Sequence, residues 1–222
     1  MSEKKDAPKP IIIPTPNGPY IYINDFTPKE VRGLTNSKGE KQSHMNSAAL
    51  CRCGQSESKP FCDSTHGKIH FNDRRETDGH MDERMNYEAV KITIHDNRGI
   101  CAHAGFCTDG LPSVFKLGEE PWIDASGASV EEIIETINKC PSGALSYSIE
   151  GIEHRDQDRE PAIVVSKDGP YYVTGGIEVT GYEPRAEEVS TEHCTLCRCG
   201  SSKNKPFCDG THWDIGFKDE KN

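Results

Sequence analysis

Two segments of the chain carry three cysteines and one histidine at the same spacing, C-x-C-x8-C-x3-H. Thiolates and a neutral imidazole are metal ligands, and four this close in sequence can complete one metal centre. The donors are Cys51, Cys53, Cys62 and His66 in the first segment and Cys197, Cys199, Cys208 and His212 in the second. We expect Asp209 to cap a short helix that places His212 one turn beyond Cys208. Backbone N–H groups of that turn would then stabilise a negatively charged centre.

The two segments share more than their donors. Both contain Arg, Gly, Ser and Lys-Pro-Phe at equivalent positions and end in Cys-Asp-x-Thr-His. This pattern resembles the CDGSH iron–sulfur family, to which mitoNEET belongs. The resemblance implies a [2Fe–2S] cluster held by the three cysteines and the histidine of each copy. Ser64 departs from the family motif, which has Gly, as the second copy does at Gly210. We expect Ser64 to adopt a helical φ, because a positive φ would strain it.

A zinc ion is the alternative occupant, since zinc also accepts three Cys and one His. Zinc loops more commonly use C-x2-C or C-x4-C, so the C-x-C with an eight-residue gap favours iron–sulfur. Disulfides fit less well, because the chain starts with a charged segment instead of a secretory signal and because His recurs in register. Cys194 stands outside both motifs. The first copy has Ala48 at the aligned position, so we interpret Cys194 as a bystander.

The stretch between the two copies predicts an independent α+β unit. Residues 87–95 alternate as a strand, and residues 144–149 predict a returning strand. Between them Ser129 and Glu132 form a capping box, Ser-x-x-Glu, at the start of an amphipathic helix. The helix runs toward a Cys-Pro pair.

This unit carries its own cysteines, which are Cys101, Cys107 and Cys140. A cysteine loop followed by a helix and Cys-Pro resembles small single-cluster ferredoxins of the bacterial type. The usual loop is C-x2-C-x2-C with a remote Cys-Pro, and Ala104 stands where the middle cysteine belongs. The resemblance therefore implies a [3Fe–4S] cluster on three thiolates, or a [4Fe–4S] cluster with a non-cysteine ligand. Asp109 and His103 are the candidates for that ligand.

The predicted fold class is α+β. The strand before the metal loop is repeated as well: Pro19 aligns with Pro170, and Cys51 aligns with Cys197. A repeat this short cannot bury a core alone. The CDGSH family pairs two single-motif chains as a homodimer, so we predict an intramolecular pseudo-dimer of two small β-rich modules with an inserted ferredoxin-like domain. The predicted parts are a disordered N-terminus (1–10), the first CDGSH-type domain (11–71), a linker (72–86), the ferredoxin-like domain (87–152), a linker (153–160) and the second CDGSH-type domain (161–222).

Composition and charge limit the function. The chain has 222 residues, 33% of them hydrophobic, with 10 Cys and a net charge of −10. A chain this poor in apolar residues is expected to be stapled by metals. Residues 87–152 hold ten acids and four bases, a net −6, which disfavours nucleic acid and favours a basic protein partner. With neither a secretory signal nor a long apolar run, the sequence predicts a cytoplasmic protein that is not in a membrane.

The ligand set predicts redox behaviour. Three thiolates and a neutral His leave an oxidised [2Fe–2S] site less negative than four thiolates do. Such a site should be easier to reduce than a plant-type Cys₄ cluster, which lies near about −400 mV, and harder than a two-His Rieske centre. Reduction should also make the outer His nitrogen more basic, so the potential should fall with rising pH. Protonation of the iron-bound nitrogen should make the clusters acid-labile.

The sequence contains no nucleotide-binding glycine fingerprint and no nucleophile elbow, so we expect a carrier and not an enzyme. The favoured interpretation is electron transfer with a reductase or an oxidase as partner, by a monomeric pseudo-dimer. The alternative is cluster transfer or storage to an apo iron–sulfur acceptor, or redox and iron sensing. A third reading makes the clusters structural staples.

Overall fold

A computed structural model describes residues 9–24, 33–42, 47–76, 83–182, 190–220 and 222. Residues 1–8 of the predicted disordered N-terminus and residues 77–82 of the predicted first linker lie outside the described residues. The described part is a mixed α+β structure of three four-stranded sheets and a few short helices. None of its helices has the length and apolar character needed to cross a membrane.

The elements follow the repeat seen in the sequence. The first part contains β1 (Ile11–Pro14), β2 (Tyr20–Ile23), β3 (Leu34–Asn36), β4 (Ser47–Leu50) and α1 (Thr65–Lys68). The middle part contains β5 (Arg84–Glu88), β6 (Thr93–Asn97), a 3₁₀ turn (Arg98–Ile100), α2 (Phe106–Gly110), α3 (Val130–Ile137), β7 (Leu145–Ile149) and β8 (Ile152–His154). The last part contains β9 (Ala162–Val165), β10 (Tyr171–Thr174), β11 (Glu178–Val179), β12 (Cys194–Leu196) and α4 (Thr211–Asp214).

The first and last parts exchange strands. One sheet has the order β11-β1-β2-β4 and the other β12-β10-β9-β3. Each sheet is an antiparallel set from one part of the chain to which a strand of the other part is added in parallel. Ile12 pairs with Val179 in one sheet, and Leu34 pairs with Ile163 in the other. Both exchanged strands are therefore built into the hydrogen-bond ladder of the opposite sheet.

The two sheets share one hydrophobic core. Side chains alternate between inside and outside along these strands, as the period of a strand requires. The buried core residues come from both parts of the chain: Ile12, Tyr20, Tyr22, Leu34, Ala48, Leu50, Ile163, Val165, Tyr171, Val173, Ile177 and Leu196. The buried strand residues of the first and last parts thus form one common cluster instead of a separate core in each module.

Equivalent tight turns join the first two strands of each part. Asn17 and Asp168 have φ of 48° and 53°, the left-handed region that Asn and Asp tolerate. Each is followed by Gly-Pro and then by the second strand. These turns return the chain toward the metal loops described below.

The middle part forms a third sheet, β5-β6-β7-β8, which is antiparallel throughout. Helix α3 packs on this sheet with Ile133 fully buried, and its predicted Ser129–Glu132 capping box is confirmed by reciprocal hydrogen bonds. The predicted strand over 87–95 is wrong, because the chain turns within it. The Ala89 N–H donates to the Ile92 carbonyl to close a hairpin between β5 and β6. β5 and β8 also extend into the segments that we predicted as linkers.

Candidate metal centres

In each repeat the predicted ligands lie in two close pairs. In the first repeat the Sγ atoms of Cys51 and Cys53 are 3.7 Å apart, and Cys62 Sγ lies 3.3 Å from His66 Nδ1. In the second repeat the corresponding distances are 3.8 Å for Cys197 and Cys199 and 3.4 Å for Cys208 and His212. The two copies therefore present the same donors in the same arrangement.

These distances are those expected between neighbouring ligands of a tetrahedral metal. Ligands about 2.0–2.3 Å from a tetrahedral metal lie roughly 3.5–3.8 Å from each other. Each pair can therefore span one edge of a tetrahedron around a metal. Within the described ranges no three His, Cys, Asp or Glu side chains converge on a point that could hold a single ion. A mononuclear zinc site would need all four donors around one point, and the described side chains form no such group.

The short helices after the third cysteine position the histidines. Both α1 and α4 begin just beyond that cysteine, and the backbone N–H groups of Ser64 and Gly210 donate to Cys62 Sγ and Cys208 Sγ at 3.4 Å. The predicted cap is displaced by one residue: Gly210 occupies the N-cap position. Asp209 still accepts a hydrogen bond from the Thr211 N–H at 3.0 Å. Its carboxylate therefore fixes the helix start without being the cap itself.

Ser64 contradicts the expectation of a helical φ. Its φ is 70° and its ψ is 8°, so it adopts the same left-handed conformation as Gly210, whose φ is 87°. The geometry of the loop requires this conformation, because the next residue must start the helix that returns the histidine to the cysteine. A side chain with a Cβ is strained there, so the first copy carries a conformational penalty that the second copy avoids.

The electrostatics of the donors favour a bound cation. Burial raises the pKa of Cys208 well above its usual value, so its thiolate needs a positive partner. Burial lowers the pKa of His212, which favours the neutral imidazole that binds metals. In the first copy the neighbouring Cys53 thiol lowers the pKa of Cys51 to about 6 by hydrogen bonding, so that close pair carries a negative charge readily.

Two buried arginines, which the sequence reasoning missed, brace the metal loops. Arg52 donates from Nε to the Gly18 carbonyl at 2.6 Å and pairs with Asp73 at 2.7 Å. Arg198 donates to the Gly169 carbonyl at 2.7 Å and pairs with Asp219. Each arginine thus ties its loop to the turn between the first two strands of its own copy. The signal was present in the sequence, because each aspartate follows its histidine by seven residues.

The two metal loops touch each other through glycines. A Cβ at Gly54 would lie 2.2 Å from the Cys199 carbonyl oxygen, and one at Gly200 would lie 2.6 Å from that of Cys53. Both glycines also have positive φ, 79° and 86°. Only glycine allows this close approach of backbone to backbone. Cys53 of the first site and Cys199 of the second therefore lie on loops that are in direct contact.

The third set of cysteines surrounds a cavity. Cys101, Cys107 and Cys140 line a space of about 340 Å³, and Ala104 lies on its wall. Burial raises the pKa of Cys101 to about 11. Of the two residues considered as a fourth ligand, His103 also lines this cavity, whereas Asp109 is exposed and is not part of its lining.

Two lysines and one cysteine next to the sites have structural roles. Lys59 and Lys205 each donate to the carbonyl of a serine three residues earlier, Ser56 and Ser202, at 2.7 and 2.6 Å. They therefore hold the loops closed. Cys194 lies on β12, where burial raises its pKa to about 12, so its thiol is a poor nucleophile.

The fold and the cysteine sites define an iron–sulfur-binding protein, and comparisons with known proteins give the family. Residues 17–67 and 168–213 match the family described as "Iron-binding zinc finger CDGSH type". Residues 87–150 match the family described as "Divergent 4Fe-4S mono-cluster". The chain belongs to the CDGSH iron–sulfur family and carries a mono-cluster domain of the 4Fe–4S type between its two CDGSH regions, as the resemblance predicted.

Curated relatives share part of the chain. The uncharacterized protein YjdI of Escherichia coli (strain K12) is 39% identical over 61 residues, which are 28% of this chain and 80% of that protein. YjdI of Escherichia coli O157:H7 matches with the same values. No solved structure matches the chain.

Proposed function

We propose that the protein is an electron carrier with one [2Fe–2S] cluster in each CDGSH region and a cubane-type cluster in the middle domain. Clusters of this kind accept and release single electrons. The observation that carries the proposal is the two-plus-two arrangement of the donors. Cys51 and Cys53 form one pair and Cys62 and His66 the other, as the two irons of one cluster require.

The chain itself sets the properties of these sites. The backbone N–H groups of Ser64 and Gly210 donate hydrogen bonds to cysteine sulfur atoms. Such hydrogen bonds stabilise negative charge on the thiolates and make the cluster easier to reduce. The histidine replaces a negatively charged ligand by a neutral one. The CDGSH clusters should therefore have potentials above the value of about −400 mV that is typical of plant-type Cys₄ clusters.

The two CDGSH regions are proposed to act as one intramolecular pseudo-dimer. The shared core, the reciprocal exchange of β3 and β11, and the contact between Gly54 and Cys199 support this arrangement. Dimer-like packing inside one chain keeps the two cluster sites at a fixed separation. A monomer is then sufficient for the function.

The middle domain is proposed to hold a [3Fe–4S] cluster, with [4Fe–4S] as the alternative. Three thiolates suffice for three irons, and Ala104 supplies no donor at the remaining corner. The family match is to a 4Fe–4S type of domain, so a fourth ligand from solvent or from another side chain is the competing possibility. The net charge of −6 on residues 87–152 makes this domain the proposed face for a basic redox partner.

The proposal is tested by counting iron and sulfide in anaerobically purified protein and recording EPR spectra during stepwise reduction. Two [2Fe–2S] sites contribute four irons, and the middle site adds three or four. An EPR signal before reduction that is lost on reduction would assign [3Fe–4S], whereas its absence with about eight irons would assign [4Fe–4S]. Zinc in place of iron, or clusters that never change redox state, would refute electron carriage.

Cluster transfer is the second candidate, and the first CDGSH site favours it. Cys62 and His66 are only partly buried, whereas Cys51 and Cys53 are buried. In the proposed cluster, the iron held by Cys62 and His66 would therefore be the more accessible of the two irons. Transfer to an apo-ferredoxin that outpaces loss to a chelator would support this function. Loss to the chelator at the same rate with and without the acceptor would exclude it.

A further inference from the structure

The two CDGSH sites have the same donors but different surroundings. Cys208 and His212 are 2% and 4% exposed, whereas Cys62 and His66 are only partly buried. In both copies the cysteine of this pair precedes the same short helix and the histidine lies within it. The difference must therefore come from what packs on the second copy.

The middle domain packs on the second copy around His103. The His103 ring lies against Gly210, where a Cβ would come within 2.9 Å of the imidazole. Trp213 donates from Nε1 to the His103 carbonyl at 2.9 Å, and its indole also lines the cavity of the middle-domain cysteines. Trp213 thus belongs to both sites: it directly follows the ligand His212 and forms a wall of the neighbouring cavity.

Two further contacts extend this interface on either side. Asn204 donates to the Gly99 carbonyl at 3.1 Å. The rings of Phe106 and Tyr172 meet edge to face with centroids 6.3 Å apart. The middle domain therefore touches the strand, the metal loop and the helix of the second copy.

The first copy lacks these docking residues. The residues of the second copy that make the contacts are Tyr172, Asn204, Gly210 and Trp213, and their counterparts in the first copy are Ile21, Ser58, Ser64 and Gly67. None of the four identities is shared. The side chain of Ser64 would occupy the space that the His103 imidazole uses beside Gly210. Gly67 lacks the indole with which Trp213 binds the His103 carbonyl. The sequence thus encodes which copy receives the middle domain.

We propose that the middle domain is a cap on the second CDGSH site, held by His103 and Trp213. The first CDGSH site is then the face at which an external redox protein reaches a ligand pair. This inference depends on the proposed function only in that both sites hold metal. It assigns different roles to two sites that have identical ligands: the second is internal and protected, and the first is external.

Site-resolved thiol labelling of the cluster-loaded chain tests the cap. A chelator removes iron while an alkylating reagent traps each freed cysteine, and peptide mass spectrometry reports Cys62 and Cys208 separately. In the unmodified chain Cys62 should be labelled at least about fivefold faster, because a buried site must open before it exchanges. Equal rates, or faster labelling of Cys208, would overturn the proposal.

Variants at Trp213 then test the origin of the protection. Trp213→Ala should raise the labelling rate of Cys208 and leave that of Cys62 unchanged. Trp213→Phe, which keeps a ring but loses the N–H donor, should have a smaller effect and serves if the Ala variant folds poorly. Leu117→Ala is the matched control, since Leu117 lines the same cavity from the middle domain and is 84% exposed. An unchanged ratio of the two rates in both Trp213 variants would also overturn the proposal.

The cap and the proposed electron-carrier function can be refuted independently. Redox-silent clusters would refute electron carriage and leave the order of labelling intact. Equal labelling of the two sites would refute the cap and leave redox activity intact.

Discussion

Tyr20 and Tyr171 each reach across the molecule to the metal loop of the other copy. The Tyr20 hydroxyl lies 3.0 Å from the Cys197 carbonyl and 2.8 Å from that of Pro206. The Tyr171 hydroxyl lies 2.7 Å from the Cys51 carbonyl and 3.0 Å from that of Pro60. Their rings meet edge to face between the two loops, with centroids 6.1 Å apart. Each metal loop is therefore supported by a side chain from the opposite half.

This crossing predicts that a tyrosine variant will disturb the distant site more than its own. Tyr20→Phe should lower the free energy of unfolding by about 1 kcal/mol, because it removes the buried hydroxyl that donates to the metal loop of the second copy. It should also speed thiol labelling at Cys197 more than at Cys51. Tyr171→Phe is the matched control and should show the reverse preference. The same preferred site in both variants would contradict the crossed support.

A glycine at position 64 should stabilise the protein. Ser64→Gly relieves a left-handed φ of 70°, so the free energy of unfolding should rise by up to about 1 kcal/mol in chemical denaturation. The reverse change, Gly210→Ser, should be destabilising by more than this, because its Cβ would also meet the His103 ring at 2.9 Å. A destabilising Ser64→Gly would show that the serine side chain contributes more than its strain.

Asp73 and Asp219, which pair with the two buried arginines, should contribute unequally to the free energy of unfolding. Asp219→Asn leaves the Arg198 guanidinium buried without its counter-charge and should cost about 3 kcal/mol. Asp73→Asn should cost less, since the side chain of Asp73 is 19% exposed and water can replace part of the interaction. Urea denaturation of both variants measures the difference. Equal losses would mean that the burial of the second pair has no energetic consequence.

Asp96 should make stability depend on pH. Burial raises its pKa from 3.8 to about 6, and its Oδ1 has no hydrogen-bond partner in the described part of the chain. Between these two values the folded chain holds a proton that the unfolded chain has released, so Asp96 lowers stability as pH rises through this window. Asp96→Asn cannot ionise, and its amide oxygen can still accept from the Trp122 indole, which now donates to the carboxylate at 3.2 Å.

The variant should therefore be more stable than the unmodified chain by roughly 2–3 kcal/mol at about pH 8, and this advantage should shrink as the pH falls toward about 5. Denaturation midpoints of both proteins, measured side by side across this range, provide the check. A difference that stays constant with pH would show that the carboxylate is not the titrating group.

Cys194 should be dispensable for metal binding. Cys194→Ala should keep the full iron content, because the thiol packs against the hydrophobic core. Its stability should fall by about 1 kcal/mol through the lost packing. Cys197→Ala, three residues later, is the contrast and should lose the iron of the second CDGSH site. A loss of iron in the Cys194 variant would give this cysteine a role as a ligand.

Local patterns in the sequence predicted the local structure well. The Ser129–Glu132 box caps α3, as its Ser-x-x-Glu pattern predicts. This feature depends on a few neighbouring residues, so the sequence contains the information in readable form.

Features that depend on distant contacts were less accessible. The exchange of β3 and β11 joins strands more than a hundred residues apart, and no periodicity marks it. The Ser64 expectation failed because the required φ is set by the loop closing onto the metal ligands, which a propensity argument does not include. Alternating apolar residues over 87–95 concealed a hairpin, since Val90 is fully exposed in its turn.

The reciprocal exchange of β3 and β11 has a consequence for how the halves depend on each other. A polypeptide ending before the middle domain would leave the outer edge of β1 without a neighbour and would carry β3 as a strand without a sheet. Two such polypeptides could complete their sheets only by dimerising with exchange of their third strands. In the single chain this strand exchange is intramolecular. Its two metal loops are therefore held together at every protein concentration, without an association equilibrium.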